Sequence, residues 1–387
     1  MNEDQTPKRS ELHNHFNVPP TRTEMHKESE NGNQNKRPNR PRRSRRRRLI
    51  FTIICLIVVA LGVFAAYKWY AAKKAANSVF NSADIQKARD VSDVIKQNKP
   101  VSILLLGTDT GALGRNFRGR TDTIIIATLN PKKKSMTLTS VPRDTAISIP
   151  GYTQYAPSKL NSAYSFGGAG TSIKSIQQLL DVPIDFYGLV NMGGLEKIVN
   201  GVGGVTITPT LSFKYGAADV TKGKKIHLGG KAALDYSRMR DEDPKGDYGR
   251  QVRQRQVLMA IVRKSDSITT LLSQSFMDSL KKQTQTDLSF HEIVALSAKY
   301  RVSTHHLKST HLQGTTQLIN GQDYEVADQT EMQRVTNFIR NGLDLSHKST
   351  GTTNLDSVTT GTSADTNSYT NDNTQSSQQS GTGTPGY

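Results

Sequence analysis

The chain has 387 residues, 35% of them apolar, with 51 Lys and Arg against 33 Asp and Glu for a formal net charge of +18. That length holds one large domain or two small ones, and an apolar share below the usual average places polar segments outside a normal core. The single cysteine, Cys55, excludes an intrachain disulfide framework and a Cys-rich zinc site.

Charge is concentrated at the start. Residues 1–48 carry 13 basic and 6 acidic side chains, and nine of the basic ones fall between Lys36 and Arg48, where there is no acid. A cationic run without a hydrophobic pattern predicts a disordered arm. Residues 49–67 follow, 19 positions with no charge; as a helix they extend ~28 Å, enough to cross a hydrocarbon core. Arg45–Arg48 on one side and Lys68, Trp69 and Tyr70 on the other are the flanks of a single transmembrane helix. The positive-inside rule puts the arm in the cytoplasm and everything after residue 70 outside the cell membrane. An uncleaved anchor is preferred to a signal peptide, because both the apolar run and its leader are too long for one. A basic arm beside such a helix serves topology and contact with anionic membrane lipid. Lacking interleaved aromatics, it is not expected to bind nucleic acid.

Residues 68–100 predict a stalk, helical over Ala71–Lys99 and stopped by Pro100. A domain over 101–345 then opens with the apolar run Val101–Gly107, which has the pattern of a buried strand. Further strands are predicted at Thr123–Leu129, Ser135–Val141, Phe186–Asn191 and Gly204–Thr208, with a turn at Asn130–Lys134. Helices are predicted at Thr171–Leu180, Met192–Val199, Gly230–Tyr236, Arg250–Ser267, Ser289–Lys299 and Asp328–Asn341. Strands interleaved with helices indicate an α/β domain whose sheet can be mixed. Residues 346–387, with 19 Ser or Thr in 42 positions, predict a solvated, disordered tail. Ser165–Thr171 reads as a loop and helix start, since it lacks the Gly-Lys-Ser/Thr ending of a nucleotide loop. No Gly-x-Ser-x-Gly elbow supports a serine hydrolase.

Polar clusters recur at the strand ends, where α/β sheets gather ligands. The first strand ends in Gly-Thr-Asp109-Thr, the second is introduced by Gly-Arg120-Thr-Asp122-Thr, and the third ends in Val-Pro-Arg143-Asp144-Thr. A second constellation runs Tyr-Ser-Arg238-Met-Arg240 and then Gly-Asp247-Tyr-Gly-Arg250-Gln-Val-Arg253-Gln254. Arg238 and Arg240 have the period of one face of an extended segment; Arg250, Arg253 and Gln254 share one face of a helix. Arginine forks grip phosphate, and neighbouring aspartates suit Mg²⁺ bridging phosphate oxygens. The expected chemistry is phosphoryl transfer from a pyrophosphate donor. Outside the cell, where ATP is not expected, that donor would be lipid-linked.

The stretches LLLGTDT, GRTDT, SVPRDT, KLNSAYSFGG, FYGLVNMGGLEKIVNGVGGV and YSRMRDEDPKGDYGRQVRQRQ resemble the LytR-CpsA-Psr family in order and spacing over residues 101–262. The resemblance implies a three-layer α/β/α fold with a deep apolar pocket for a polyprenyl chain. It implies transfer of a glycopolymer, such as wall teichoic acid or capsular polysaccharide, from a polyprenyl diphosphate carrier to a muramic-acid hydroxyl of peptidoglycan in the Gram-positive envelope. The product would be a phosphodiester, with polyprenyl phosphate released. Carried over by motif, Asp109 and Asp122 resemble the Mg²⁺ carboxylates, and Arg143, Arg238, Arg240 and Arg250 the diphosphate-binding arginines. Lys159 and Gln254 resemble further head-group contacts, and Arg120 and Asp247 accompany them. The general base stays open among Asp122, another aspartate near the arginines, or none. Three alternatives also stay open: a membrane-bound transcriptional regulator with a lipid-sensing ectodomain, a polyprenyl pyrophosphatase, and a passive lipid-binding module. Contacts with other envelope-synthesis proteins are compatible with all of them.

Overall fold

The structure, a computed structural model, describes residues 43–109, 119–264 and 283–355. The basic arm up to residue 42 and the tail from residue 356 lie outside the described residues. Two units are distinguished, residues 1–61 and 62–387. The described part of the first is the start of helix α1 (Arg43–Val79). Within α1, Phe51–Val79 has a mean hydropathy of 2.3 and is long and apolar enough to cross a membrane.

In the second unit, α2 (Val91–Lys96) precedes strands β1 (Val101–Thr108), β2 (Thr121–Asn130), β3 (Ser135–Ser140), β4 (Ala146–Ile147) and β5 (Ser158–Lys159). Next come α3 (Ser162–Leu180), β6 (Phe186–Asn191), α4 (Met192–Gly201), β7 (Val205–Ile207), β8 (Phe213–Tyr215), β9 (Ala218–Val220) and β10 (Ile226–Leu228). They are followed by α5 (Gly230–Arg238), α6 (Gly246–Lys264), β11 (Thr284–Thr286), α7 (Phe290–Lys299), β12 (His306–His311), β13 (Thr315–Ile319), β14 (Gln322–Val326) and α8 (Gln329–Gly342).

Six strands form the central sheet in the order β11-β6-β1-β2-β3-β12. The pairs β1–β6 and β3–β12 are parallel and the other three antiparallel, so the sheet is mixed, as expected. Alternation along the strands divides its two faces. Leu104, Leu106, Ile124 and Ile126 pack with Ile173 and Ile176 of α3 and Val335 and Ile339 of α8. Ile125, Ala127, Met136 and Leu138 meet Leu258, Met259 and Val262 of α6 on the other face. Helices on both faces give the three layers. The near-continuous apolar runs of β1 and β2 follow from burial on two sides.

The stalk departs from expectation. Instead of one helix over Ala71–Lys99, α1 stops at Val79 and an irregular segment leads to α2. Tertiary bonds outcompete helix propensity here. Asn81 donates its backbone N–H to the Thr286 carbonyl at 2.7 Å. Lys87 pairs with Asp287, and the Arg89 Nε donates to Asp185 at 2.7 Å. The end of α1 buries Ala75, Ala76 and Val79 against Phe290 of α7, and Trp69 meets the Phe290 ring edge-on at 4.9 Å.

Helix α3 begins nine residues before the predicted start, taking in the stretch read as a loop, but it is broken inside by non-helical Gly167 and Gly168. Helix α6 also begins early, at Gly246, which puts Asp247 in its first turn, where the helix dipole favours an anion. Ser346–Leu355, expected to belong to the solvated tail, instead lies against the domain. Thr350 is buried, the Thr352 N–H donates to the Gln178 carbonyl at 2.9 Å, and the Thr353 carbonyl accepts from the Ser148 N–H at 2.8 Å.

Candidate functional site: an apolar cavity with a charged mouth

The antiparallel register pairs Thr108 with Thr121 and Ile125 with Ser140. It therefore brings Asp109, Asp122 and Arg143 to one end of the strands, although they are up to 34 positions apart in the chain. The Arg143 Nη1 donates to Asp122 Oδ1 at 2.6 Å, and its Nε lies 3.4 Å from Asp144 and 4.0 Å from Asp247. Asp144 also accepts from the Lys159 Nζ at 3.2 Å. Asp247, on the first turn of α6, pairs with Arg250 and accepts from the Gln251 Nε2 at 2.8 Å. One chain of alternating charges thus joins β2, the segment after β3, β5 and α6.

The two central arginines are held differently. Burial acts to lower the Arg143 guanidinium, but Asp122, Asp144 and Asp247 outweigh it and leave it above its ordinary range. Burial pushes Arg250 below its ordinary range; Asp247 opposes that, and Arg143 and Arg240 reinforce it. The Arg250 Nε is buried without a hydrogen-bond partner. A buried donor in cationic surroundings has capacity left for an anion.

Arg250 opens into a cavity of about 350 Å³ between the sheet and helices α4, α5 and α6. Its polar end is formed by Asp109, Asp122, Arg238, Arg250 and Gln254. Its walls include Leu105, Ile125, Leu195, Ile198, Val257 and Leu258. Gly188 of β6 also lines it, and the absence of a side chain there keeps space open. Arg238 ends α5 and Arg240 follows the buried Met239. Both are exposed, and among the described residues neither has an ion-pair or hydrogen-bond partner.

Of the residues singled out from sequence, Asp109, Asp122, Arg238, Arg250 and Gln254 line the cavity, while Arg143, Lys159 and Asp247 belong to the adjoining charge network. Arg240 acts on Arg250 through its charge. Arg120 is exposed at the start of β2 and does not line the cavity. Arg253, expected to share the face of Arg250 and Gln254, is instead a structural residue. It is 1% exposed, pairs with Asp243 and donates from Nε to the Tyr236 carbonyl at 3.1 Å. Gly249 makes that pair possible, since a Cβ there would lie 1.9 Å from Asp243. Asp144 bridges Arg143 and Lys159, a role that spacing alone does not assign; its position next to Arg143 in Val-Pro-Arg-Asp-Thr is the available signal.

Asp109 and Asp122 at one mouth match the donor count of Mg²⁺, which takes one or two carboxylates with phosphate oxygens and water. Among the described residues no group of three or more His, Cys, Asp or Glu forms a metal cage, so the remaining donors would come from ligand and solvent.

An apolar cavity with guanidinium groups at one end matches the chemistry of an amphiphile with an anionic head. The LytR_cpsA_psr family model matches residues 66–341, and the chain belongs to that family. It is 39% identical over 297 residues to the polyisoprenyl-teichoic acid–peptidoglycan teichoic acid transferase TagU of Enterococcus faecalis, covering 76% of this chain and 96% of that one. The crystal structure of Bacillus subtilis TagU is similar at a TM-score of 0.52 and 34% identity, covering 64% of this chain and 98% of the other. TagT bound to LIIa-WTA is similar at a TM-score of 0.57 and 26% identity, covering 69% and 100%.

Proposed function

We propose that this chain is a membrane-anchored phosphotransferase that moves a teichoic-acid-type glycopolymer from a polyprenyl diphosphate carrier to peptidoglycan. The observation that carries the reading is the continuity of the apolar cavity with Arg238, Arg250, Asp109 and Asp122 at its mouth. It is supported by relatives whose names state that activity. The basic flank before the apolar helix supports a cytoplasmic N-terminus and an extracellular domain. A regulator would leave the paired cavity and arginines without a role.

In this reading the prenyl chain fills the cavity and Leu105, Ile125, Ile198 and Leu258 exclude water from it. Arg238, Arg250 and Gln254 hold the diphosphate, with Arg143 oriented by Asp122 and Asp144. Asp109 and Asp122 would hold Mg²⁺, which would neutralise phosphate charge when bound. An acceptor hydroxyl oxygen forms a bond to the glycan-side phosphorus, and the bond from that phosphorus to the bridging oxygen breaks. Polyprenyl phosphate leaves with the electron pair, stabilised by the guanidinium charges. The hydroxyl proton passes to a carboxylate, for which Asp122 is the candidate closest to Arg143.

The test supplies the full chain in detergent with Mg²⁺, a synthetic polyprenyl-diphosphate saccharide and a peptidoglycan fragment, and detects the phosphodiester-joined product by mass. Product lost in Arg143→Ala and on chelation of Mg²⁺ is expected. Free saccharide phosphate without a joined product would indicate a pyrophosphatase, and retention of lipid without turnover a binding module.

A further inference from the structure

Between β4 and β5 the chain leaves the charge network, makes a short excursion and returns. Tyr152 and Tyr155 of that excursion both stack on Phe166 of α3. The Tyr152 and Phe166 rings are 5.1 Å apart at 20°, and the Tyr155 and Phe166 rings 5.3 Å apart at 24°. Three near-parallel rings therefore stand at the surface, and the outer one, Tyr155, is 57% exposed.

This stack is braced in a specific way. The break at Gly167–Gly168 interrupts α3 immediately after Phe166. A Cβ at Gly167 would lie 1.9 Å from the Thr171 Oγ1, so the glycine lets the chain break pass close to Thr171 directly beside the stack. The Tyr152 hydroxyl donates to the Phe166 carbonyl at 3.1 Å. The Tyr155 carbonyl accepts from the Ser158 Oγ at 2.6 Å, and the Pro157 carbonyl accepts from the Tyr324 hydroxyl at 2.9 Å. An exposed ring on a mobile loop would lose conformational freedom on binding a ligand, a cost that this already braced ring largely avoids.

Four residues beyond Tyr155 stands Lys159, whose Nζ pairs with Asp144 beside Arg143. Four residues reach at most ~14 Å, about the length of two or three linked pyranose rings. The C–H-rich face of a pyranose presents a weakly positive surface that matches the negative face of an aromatic ring. Thr153 and Gln154 are exposed beside Tyr155 and can hydrogen-bond sugar hydroxyls. We propose that Tyr155, backed by Phe166 and Tyr152, is a stacking platform for a pyranose ring of a glycan chain whose reacting end lies at the Arg143–Asp144 network. The proposal rests on the transferase reading for the glycan's identity but not for its geometry.

The experiment uses the full chain in detergent. One arm measures binding of a soluble peptidoglycan tetrasaccharide, and a second measures binding of a short-prenyl diphosphate saccharide, with the same diphosphate lacking sugar as reference. Tyr155→Ala is expected to weaken tetrasaccharide binding about fivefold, while Tyr155→Phe, which keeps the ring and loses the hydroxyl, stays within about twofold of the parent. A loss confined to the sugar increment of the diphosphate donor assigns the platform to the donor glycan. Equal binding by parent and Tyr155→Ala in both arms overturns the proposal, as does an equal loss in Tyr155→Phe. Tetrasaccharide binding that depends on Tyr155 in a protein that joins no product would refute the transferase reading and leave the platform standing. Product formation unaffected by Tyr155→Ala at limiting acceptor and donor would do the reverse.

Discussion

Arg143 and Asp122 meet at 2.6 Å although one lies in the turn after β3 and the other on β2, and the contact fixes the guanidinium plane at the strand ends. Asp144 and Asp247 approach the same group, so the fork is oriented before any ligand arrives. Preorganised charge of this kind stabilises a developing anion without reorganising during the reaction.

Arg143→Ala is therefore expected to slow product formation at least about tenfold, since a charge-assisted hydrogen bond contributes roughly 1.5–3 kcal/mol. Arg143→Lys should recover only part of the loss, because an ammonium keeps the charge and loses the bidentate fork. Rates of phosphodiester formation by the three proteins at saturating donor test this. Full recovery in Arg143→Lys would show that charge alone suffices.

Arg253 makes the opposite prediction. Its guanidinium is buried against Asp243 and backbone carbonyls and does not line the cavity. Removing one member of a buried pair costs about 3–5 kcal/mol, so Arg253→Ala should unfold at markedly lower temperature. Arg238→Ala, at an exposed position, should keep its thermal midpoint and lose donor binding. Thermal unfolding beside donor retention separates the two roles.

The sheet strands were legible because β1 and β2 are buried on both faces and read as unbroken apolar runs. The polar clusters were legible because they stand at strand ends. What escaped was set by long-range contact. The roles of Arg250 and Arg253 cannot be told apart by helical spacing, because Asp243 and the Tyr236 carbonyl, which claim Arg253, come from another segment. The stalk reads as helix by composition, and only Asp185, Asp287 and Thr286 draw it into an irregular path. The hairpin β13–β14 could have been found. Asn320 and Gly321 both take positive φ, 51° and 74°, and Asn-Gly is a strong short-range hairpin signal.

Gly188 tests the cavity. A Cβ at this position would lie 3.5 Å from the Leu105 Cδ2, an ordinary contact, so Gly188→Ala should fold. Gly188→Val projects further into the space between Leu105 and α4. It should weaken retention of a long prenyl diphosphate by about tenfold, on the basis of roughly 0.8 kcal/mol for each methylene displaced from burial. A diphosphate carrying only one or two isoprene units should be much less affected. Equal losses for short and long lipids would mean that the chain does not enter this cavity.

Arg255 is the last case, and its effect runs through stability. It is 5% exposed and donates to the Ser140 Oγ at 2.6 Å, and among the described residues no carboxylate pairs with it. Burial pushes its guanidinium down to about 10. A base whose folded value lies below its unfolded one binds fewer protons in the folded state, so folding opposes its charge. That cost is fully present below pH 10 and is relieved as pH rises through about 10 toward the higher range of a free guanidinium. Arg255→Met keeps the volume and removes the charge. Replacing buried charge by a well-packed apolar group has stabilised other proteins by roughly 1–4 kcal/mol, and for a domain of this size each kcal/mol moves the midpoint by about 2–4 °C. The variant should thus melt several degrees higher at neutral pH. Its bond to Ser140 ties α6 to the end of β3, three residues before Arg143, so the same variant should lose product-forming activity while gaining stability. A lower midpoint would show that the Ser140 bond outweighs the desolvation of the guanidinium.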